Sequence, residues 1–283
     1  GLATTGGVGS SQANNVYPFA YTTNDYKDLL SDSTIDLIII STQHNSHAKF
    51  IIEALKEGKS VYCEKPLCIS LKELDAIEET YEISTGELFC GLNRRFSPLV
   101  EEIRTSLKTD IVPAVYDYIG NAGFIDVSHW TQDVSKGGGR IIGEAIHFID
   151  TIQSLDCSEL KDIKVSFANN DGYPKKDNAI ILLSFKSGGI GTVLYTSMGS
   201  KKYPKEQLRV FSNGFVYELN NYVSLTRYGS STHKKTKLKQ NKGFTAEYKY
   251  IFDVLVNGKK NDVLIDTFIV HRKLLEALEE TFI

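Results

Sequence analysis

Two apolar segments flank an amphipathic helix in residues 36–66, DLIIISTQHNSHAKFIIEALKEGKSVYCEKP. Residues 36–42 contain a continuous apolar run, which is typical of a strand buried on both faces. Apolar residues then recur from Ala48 with helical spacing, and Gly58 is placed to end that helix. Residues 60–64 return as a strand, so the pattern predicts a β-α-β unit and a parallel sheet.

The same alternation continues on both sides of this unit. Ser70 followed by Glu73 matches a capping box, which predicts that a helix begins there, and residues 88–92 form the next apolar strand. Residues 2–4 have the character of a strand end. Residues 6–10, GGVGS, follow as a glycine-rich turn that matches neither GxGxxG nor the Walker pattern.

Short strands dominate the rest of the chain. They are predicted at residues 112–120, 163–168, 179–185, 190–196, 207–212, 215–219 and 223–228. Glycine and asparagine between several of them are typical of hairpin turns. We therefore predict two domains: an incomplete Rossmann-type α/β domain over residues 1–96, and an α+β domain with a mostly antiparallel sheet over residues 97–283.

The composition argues against several classes of partner. A formal net charge of −3 over 283 residues favours neither nucleic acid nor a membrane surface, and no apolar run has the length of a spanning helix. The lysines of residues 234–242 lack an aromatic platform and are predicted to form a solvated loop. The four cysteines lack the spacing of a zinc site, which indicates reduced thiols, no metal and a cytoplasmic protein.

A charged pair directly follows the strand at residues 60–64. Ligands of open α/β sheets bind beyond the carboxyl ends of the strands, so Glu64 and Lys65 are expected to face a binding crevice. Pro66 restricts Lys65 to an extended backbone, which directs its side chain. The alternative is a surface ion pair that precedes a loop.

A second candidate group lies in residues 137–150, GGGRIIGEAIHFID. On a helix, Glu144, His147 and Asp150 are each three residues apart and share one face. A buried histidine beside carboxylates suits proton transfer to or from a hydroxyl, because its pKa can be tuned near neutrality. A hydrogen-bonded structural histidine is the alternative, and no further ligand spacing indicates a metal site.

Four motifs, in this order, resemble the Gfo/Idh/MocA oxidoreductase family. They are STQHNSHA at residues 41–48, Glu-Lys-Pro at residues 64–66, GLNRRF at residues 91–96, and the triple glycine leading to a His-x-x-Asp helix. Together they are specific, and the resemblance covers essentially the whole chain. It implies an NAD- or NADP-dependent oxidoreductase that acts on a hydroxyl of a sugar, cyclitol or nucleotide sugar.

The resemblance implies a role for each matching residue. Lys65 would touch the nicotinamide ribose and the reacting hydroxyl, and Glu64 would bind the cofactor ribose. His147 would be the acid/base, with Glu144 as a further catalytic candidate. The remaining implied residues are Thr42, Asn45, His47 and Asn93 for the cofactor, and Arg95, Asn121, Trp130 and Asp150 for the substrate. Lys65 would then stabilise the developing alkoxide while His147 accepts its proton.

Two departures from the family pattern affect these roles. Many members carry Asp four residues before the histidine, where this chain has Gly143. One residue turns a helical side chain by about 100°, so the sequence leaves open whether Glu144 replaces that Asp. The family also begins with a strand and a GxGxxG loop, whereas this chain is expected to enter at the second strand. Thr4 and Thr5 then stand where NAD-preferring enzymes carry an acidic residue, which leaves NADP open.

Partners are also implied by resemblance. Residues 121–125 and the pair His129-Trp130 resemble a subgroup fused behind a zinc-dependent alcohol dehydrogenase-like half, so the chain is expected to be an excised domain. Tyr195, Phe211 and Tyr217 are expected on the outer face of the antiparallel sheet, which would pair subunits into a homodimer or homotetramer. The alternatives to an enzyme are a non-catalytic sensor or assembly module, and a carbohydrate-binding protein without a cofactor.

Overall fold

The computed structural model describes residues 1–4, 13, 15–107, 113–168 and 176–281. The glycine-rich turn predicted at residues 6–10, together with Thr5, lies outside the described residues. Within the described part, short parallel strands come first and a larger eight-stranded sheet follows.

The parallel strands form two groups. β1 (Leu2–Ala3) pairs with β2 (Thr22–Thr23). The second group has the order β3 (Leu37–Ile40), β4 (Ser60–Cys63) and β5 (Leu88–Cys90), with both pairs parallel. The predicted Rossmann-type sheet is therefore confirmed.

Two helices connect the strands of the second group as the sequence predicts. α2 (His47–Lys56) lies between β3 and β4, and α3 (Leu71–Ile83) lies between β4 and β5. The Ser70 hydroxyl accepts a hydrogen bond from the Glu73 amide at 3.3 Å, so the predicted cap is present. The Glu73 carboxylate accepts from the amide of Ile69 at 2.9 Å, which fixes the start of α3 from both sides.

Among the described residues, no strand connects the two parallel groups. α1 (Lys27–Ser31) leads from β2 towards β3, and Ile39 in the middle of β3 is 65% exposed. An apolar residue at such a position is normally covered in a parallel sheet. The expected absence of the family's first strand and phosphate loop stays a prediction.

The larger sheet is mostly antiparallel. Its strands are β6 (Val115–Asn121), β7 (Leu160–Phe167), β8 (Asn178–Phe185), β9 (Ile190–Thr196), β10 (Glu206–Ser212), β11 (Phe215–Asn220), β12 (Ser224–Tyr228) and β13 (His233–Thr236). Their order is β13-β12-β11-β10-β6-β9-β8-β7. β6 and β9 pair in parallel, and the other neighbours pair antiparallel. The predicted α+β character is confirmed.

β13 corrects the prediction for the lysine-rich segment. Residues 234–236 were expected in a loop, yet they extend the sheet by pairing with β12. All four residues of β13 are exposed, so the strand buries no apolar side chain. Backbone hydrogen bonds to β12 and the ion pair of Lys235 with Glu102 hold it on the edge. Such a strand leaves no hydrophobic pattern in the sequence.

Helices cover the inner face of the large sheet. α6 (Ile146–Asp156) contacts β6 and β9, and α8 (Val263–Glu280) contacts β7, α6 and α3. α8 also reaches the first part of the chain, because the Leu67 amide donates to Nε2 of His271 at 3.0 Å. The domain division at residue 96 stays a prediction. None of the helices described here has both the length and the apolar character needed to cross a membrane.

The outer face of the large sheet carries several exposed apolar residues beside the Asp117–Arg209 ion pair, but two of its predicted residues lie on the other face. Tyr195 and Tyr217 are buried on the core side, where strand alternation places them with Val193 and Leu219. Phe211 is on the outer face as predicted and is 42% exposed. The other exposed apolar residues of this face are Val115, Ile180, Leu182, Ile190 and Leu194.

Three further elements complete the described fold. α4 (Pro98–Leu107) follows β5, α5 (Val134–Gly137) precedes the glycine segment, and α7 (Phe244–Leu255) follows β13. A 3-10 turn at Asn93–Phe96 leads from β5 into α4. This turn and α5 lie beside the cavity described next.

Candidate active site

The carboxyl ends of β4 and β5 place charged residues at one edge of the parallel sheet. Glu64 and Lys65 follow β4, and Asn93 and Arg94 follow β5. β4 and β5 are neighbouring parallel strands, so their carboxyl ends lie at the same edge of the sheet. The four residues that follow them are therefore close to one another.

His47 contacts the backbone at the ends of both β3 and β4. Its Nδ1 lies 2.7 Å from the carbonyl oxygen of Pro66, and its Nε2 lies 3.0 Å from the carbonyl oxygen of Thr42. The side chain is fully buried. It therefore ties the end of β3 to the loop that carries Lys65, which is a structural use of a residue expected to line the cofactor site.

The second wall comes from the glycine segment and α6. Gly138 and Gly139 have φ angles of 70° and 87°, a region that glycine adopts without strain. Ile141–Ala145 then form a π-helix that continues into α6. Such single wide turns often occur at functional sites. Glu144 in this turn and His147 in α6 both line the cavity.

Asp150 does not share that face. Its carboxylate is fully buried and binds Arg95, with distances of 3.1 Å to Nε and 3.0 Å to an amino group. Burial raises the pKa of Asp150 to about 6, although the guanidinium opposes this. Glu144 and His147 line the cavity, whereas Arg95 holds Asp150 in the core, so the structure brings only two of the three predicted residues to the cavity.

One cavity of about 640 Å³ connects the two walls. Lys65 from the sheet edge and His147 from α6 both line it, so the ammonium and the imidazole can serve one small ligand. This volume lies within the usual range of ligand and cofactor sites. The predicted residues that line the cavity are Glu64, Lys65, Asn93, Trp130, Glu144 and His147.

Six predicted residues do not line it. Thr42 and Asn45 are exposed, and the Thr42 hydroxyl lies 2.6 Å from that of Ser46. Asn121 is buried and donates from Nδ2 to the carbonyl oxygen of Ser200 at 2.8 Å. The others are His47, Arg95 and Asp150, whose contacts within the fold are given above.

Lys65 has the carboxylates of Glu144 and Glu64 as its main charged neighbours, whereas the charged neighbours of His147 are cations. The Nζ of Lys65 donates to the carbonyl oxygen of Gly143 at 2.5 Å, and burial lowers the pKa of Lys65. Burial also lowers the pKa of His147 well below its usual range, and the neighbouring cations Arg94 and Lys65 lower it further. The imidazole is therefore neutral near pH 7, and the cations stabilise a negative oxygen in the cavity.

Comparison with known proteins agrees with this geometry. Residues 7–90 match the family model GFO_IDH_MocA, described as "Oxidoreductase family, NAD-binding Rossmann fold". A myo-inositol 2-dehydrogenase of Thermotoga maritima is 28% identical over 187 residues, which are 59% of this chain and 52% of that protein. The resemblance to the Gfo/Idh/MocA oxidoreductases is confirmed.

A second relative gives the same result. A scyllo-inositol 2-dehydrogenase (NAD(+)) of Bacillus subtilis is 28% identical over 182 residues, covering 60% of this chain and 51% of that protein. The chain thus spans about half the length of these Gfo/Idh/MocA-type relatives. The alcohol dehydrogenase-like partner half stays a prediction.

Solved structures share the fold over nearly the whole chain. An aldose-aldose oxidoreductase from Caulobacter crescentus, solved with glycerol, superposes with a TM-score of 0.85 at 16% identity, covering 99% of this chain and 89% of that one. A levoglucosan dehydrogenase solved with NADH and levoglucosan gives a TM-score of 0.82 at 16% identity, covering 99% and 88%. At this identity the likeness establishes the fold.

The departure from the Gfo/Idh/MocA pattern at Gly143 has a local explanation. A Cβ on Gly143 would lie 3.0 Å from Cε1 of His44, so this position faces His44 and has little free space. Gly143 and Glu144 both line the cavity, and the carboxylate comes from Glu144, which Arg140 holds at 2.9 Å. The carboxylate of this segment therefore approaches the cavity from a different position.

Sequence reasoning missed several residues that line the cavity. His44 packs edge-on against Trp130 at 4.8 Å, and its Nδ1 lies 2.8 Å from the carbonyl oxygen of Gly137. Burial lowers the pKa of His44 to about 4. The other missed residues are Arg94, Arg140, Lys205 and Lys242. The adjacent histidines at 44 and 47 gave a signal for His44, whereas Lys242 was assigned to the solvated loop.

No group of three or more His, Cys, Asp or Glu side chains in the described ranges is arranged to hold a metal ion.

Proposed function

We propose that this chain forms the catalytic part of an NAD- or NADP-dependent oxidoreductase acting on a hydroxyl of a sugar, cyclitol or nucleotide sugar. One observation carries the proposal. Lys65, at the carboxyl edge of a Rossmann-type sheet, and His147, on the opposite wall, line one cavity. An ammonium and a neutral imidazole on either side of a small-molecule site are the groups that dehydrogenation of a hydroxyl requires.

The cavity fits the nicotinamide-ribose end of such a cofactor. Glu64 and Asn93 line it at the ends of two parallel strands, where ribose hydroxyls of dinucleotides are bound in folds of this class. The family's phosphate loop is not among the described residues, so the fit concerns this end alone. A bound nicotinamide supplies the group that accepts or donates hydride.

The residues of the chain handle the proton and the charge on oxygen. The Nζ of Lys65 uses one N–H on Gly143 and retains two more for the oxygen of a substrate. His147 accepts the hydroxyl proton, and its neutral state leaves it free to do so. The Nδ1 of His147 is buried and has no hydrogen-bond partner among the described residues, so a ligand could supply that polar contact.

Cofactor binding can be measured directly, because Trp130 is the single tryptophan of the chain and lines the cavity. NADH or NADPH bound there should quench its fluorescence by energy transfer. Formation of reduced nicotinamide is then followed with a panel of hexoses, cyclitols and sugar acids. Lys65→Met should lower turnover by at least about a hundredfold, whereas the exposed Lys72→Met is the control.

The outcomes separate enzyme from non-enzyme. Turnover that survives in Lys65→Met with the rate of the Lys72→Met control would contradict the role of Lys65. Quenching by NADH without turnover of any compound in the panel would favour a non-catalytic module. No quenching and no turnover would contradict the oxidoreductase itself.

We also propose that the outer face of the large sheet pairs with a second copy of this chain. Val115, Ile190 and Phe211 occupy adjacent positions across β6, β9 and β10, and Ile180 lies opposite Leu194. Asp117, Thr192 and Arg209 share this face with them, and an exposed group of apolar residues with a polar surround is typical of a surface that is covered in an assembly. Sedimentation should show a dimer or tetramer at micromolar concentration.

Leu194→Asp should shift the protein to a monomer. Leu238→Asp is the matched control, since Leu238 is fully exposed and lies outside the sheet. A wild-type monomer, or equal assembly in the two variants, would contradict the proposed face.

A further inference from the structure

Three cations lie together on one side of the cavity, and two of them bind one carboxylate. Arg94, Lys205 and Lys242 line the cavity and are here called the cationic wall. Glu206 lies behind them with no exposed surface. Its carboxylate binds Nε of Arg94 at 2.6 Å and Nζ of Lys242 at 2.5 Å. Lys205 is exposed and has no ion pair within the described residues, so the wall carries an excess of positive charge.

On the other side of the cavity, carboxylates compensate the positive charges. Arg140 binds the carboxylate of Glu144 at 2.9 Å and lies 3.5 Å from that of Asp177. Glu64 and Glu144 are also the acidic neighbours of Lys65. Here carboxylates match or exceed the cations, so the excess positive charge is confined to the cationic wall.

The cationic wall is built into the fold. Asn93 donates to the carbonyl oxygen of Lys242 at 2.9 Å, and Ser97 donates to that of Asn241 at 2.8 Å. Gly243, with a φ of 97°, allows the loop to approach Asn93. Burial alone would raise the pKa of Glu206, but Arg94 and Lys242 outweigh it and hold this pKa at about 2. Glu206 is therefore ionised at any physiological pH.

A neutral polyol would leave this excess charge uncompensated. Arg94 and Lys242 are mostly withdrawn from solvent, with side-chain exposures of 11% and 18%, and like charges in such a place are costly unless opposite charges accompany them. Guanidinium and ammonium groups bind carboxylates and phosphates through charge-assisted hydrogen bonds. An anion at the cationic wall would also reduce the positive field on His147, whose pKa the same cations lower. Its binding would make the imidazole a better proton acceptor.

We propose that the substrate carries an anionic group, a carboxylate or a phosphate, which binds the cationic wall while its reacting hydroxyl lies between Lys65 and His147. This inference rests on the proposed function and narrows its substrate class. Sugar acids would supply a carboxylate, and sugar phosphates or nucleotide sugars would supply a phosphate.

Matched pairs of sugars test the inference through the fluorescence of Trp130. Glucuronate and galacturonate are compared with glucose and galactose, and glucose 6-phosphate with glucose, each with and without saturating NADH. At low ionic strength the anionic member should bind at least about tenfold more tightly, and salt should reduce this preference. The tighter of the carboxylate and phosphate series identifies the source of the anion.

Lys205→Glu should abolish the preference, since it reverses a charge of the cationic wall. Lys201→Glu is the control, because it makes the same change at an exposed position of the preceding turn outside the cavity. Equal affinity for anionic and neutral members would overturn the inference. So would an equal effect of the two variants, or a loss of NADH affinity in Lys205→Glu that matches its loss of sugar affinity.

Failure of the proposed function gives a different result. Turnover of neutral sugars without any anion preference would overturn the cationic wall as a substrate site and leave the oxidoreductase intact. An anion preference that depends on Lys205, in a protein that never binds NADH or NADPH, would overturn the oxidoreductase and support the anion site.

Discussion

Glu247→Gln should remove a large pH dependence of stability. Glu247 lies in α7 and is 2% exposed, and its Oε1 has no hydrogen-bond partner in the part of the chain that the structure describes. The Tyr62 hydroxyl lies 3.4 Å from its other oxygen and 3.5 Å from the carboxylate of Glu64. Burial, followed by the charge of Glu64, raises the pKa of Glu247 to about 8 from a usual 4.5.

The sign and size of the effect follow from this pKa. Between pH 4.5 and about 8 the folded protein holds a proton on Glu247 that the unfolded chain has released. The contribution of this group is complete below pH 4.5 and is lost as pH rises through about 8. At about 1.4 kcal/mol per pH unit the shift corresponds to an upper bound of roughly 5 kcal/mol. Glutamine carries no charge at any pH, so the free energy of unfolding of the variant does not fall with pH for this reason.

Urea unfolding followed by circular dichroism at intervals from pH 5 to pH 9 measures the effect. The variant and the wild type should be of similar stability at pH 5, and the variant should be several kcal/mol more stable at pH 9. Glu57→Gln, which removes the same charge from an exposed position, is the control. Parallel stability curves for Glu247→Gln and the wild type, within about 1 kcal/mol, would refute a protonated Glu247.

Two further predictions concern the cavity. His147→Asn should lower turnover by about a hundredfold to ten-thousandfold while leaving NADH quenching of Trp130 unchanged. Because the pKa of His147 is held well below 6.5, the acidic limb of the wild-type pH–rate profile should lie below that value, and a limb at or above it would contradict the assignment. Gly243→Ala should destabilise the protein by about 1–3 kcal/mol, because its Cβ would meet the carbonyl oxygen of Asn93. Equal urea midpoints for Gly243→Ala and an alanine at the exposed Lys239 would show that the loop adapts without cost.

The parallel part of the fold could be predicted because its signals are local. The apolar runs of β3 and β4, the helical spacing from Ala48 and the cap at Ser70 each lie within one element. Ligands bind at the carboxyl ends of such strands, and this rule alone predicts that Glu64 and Lys65 face a binding site. Both residues line the cavity.

Prediction failed where a contact between distant segments decided the outcome. Helical spacing grouped Asp150 with His147, but Arg95, 55 residues earlier, holds Asp150 in the core. Residues 141–145 read as ordinary helix, because a π-helix has no composition that distinguishes it. Tyr195 and Tyr217 were predicted on the outer face of the large sheet but lie on its inner face. Both faces of that sheet carry apolar residues, so the alternation along a strand does not show which face is buried.

The catalytic candidates can be predicted from the sequence more readily than the residues of the cationic wall. Lys65 and His147 lie in short motifs whose spacing is set by the strands and helices that carry them. Glu206, by contrast, lies 112 residues from Arg94 and 36 from Lys242, and its significance comes only from the folding that brings them together. A lysine-rich loop has the same composition whether its last lysine faces solvent or a buried carboxylate. Of the residues that would select the substrate, Lys242 was therefore assigned to a solvated loop, and Arg94 and Lys205 were given no role.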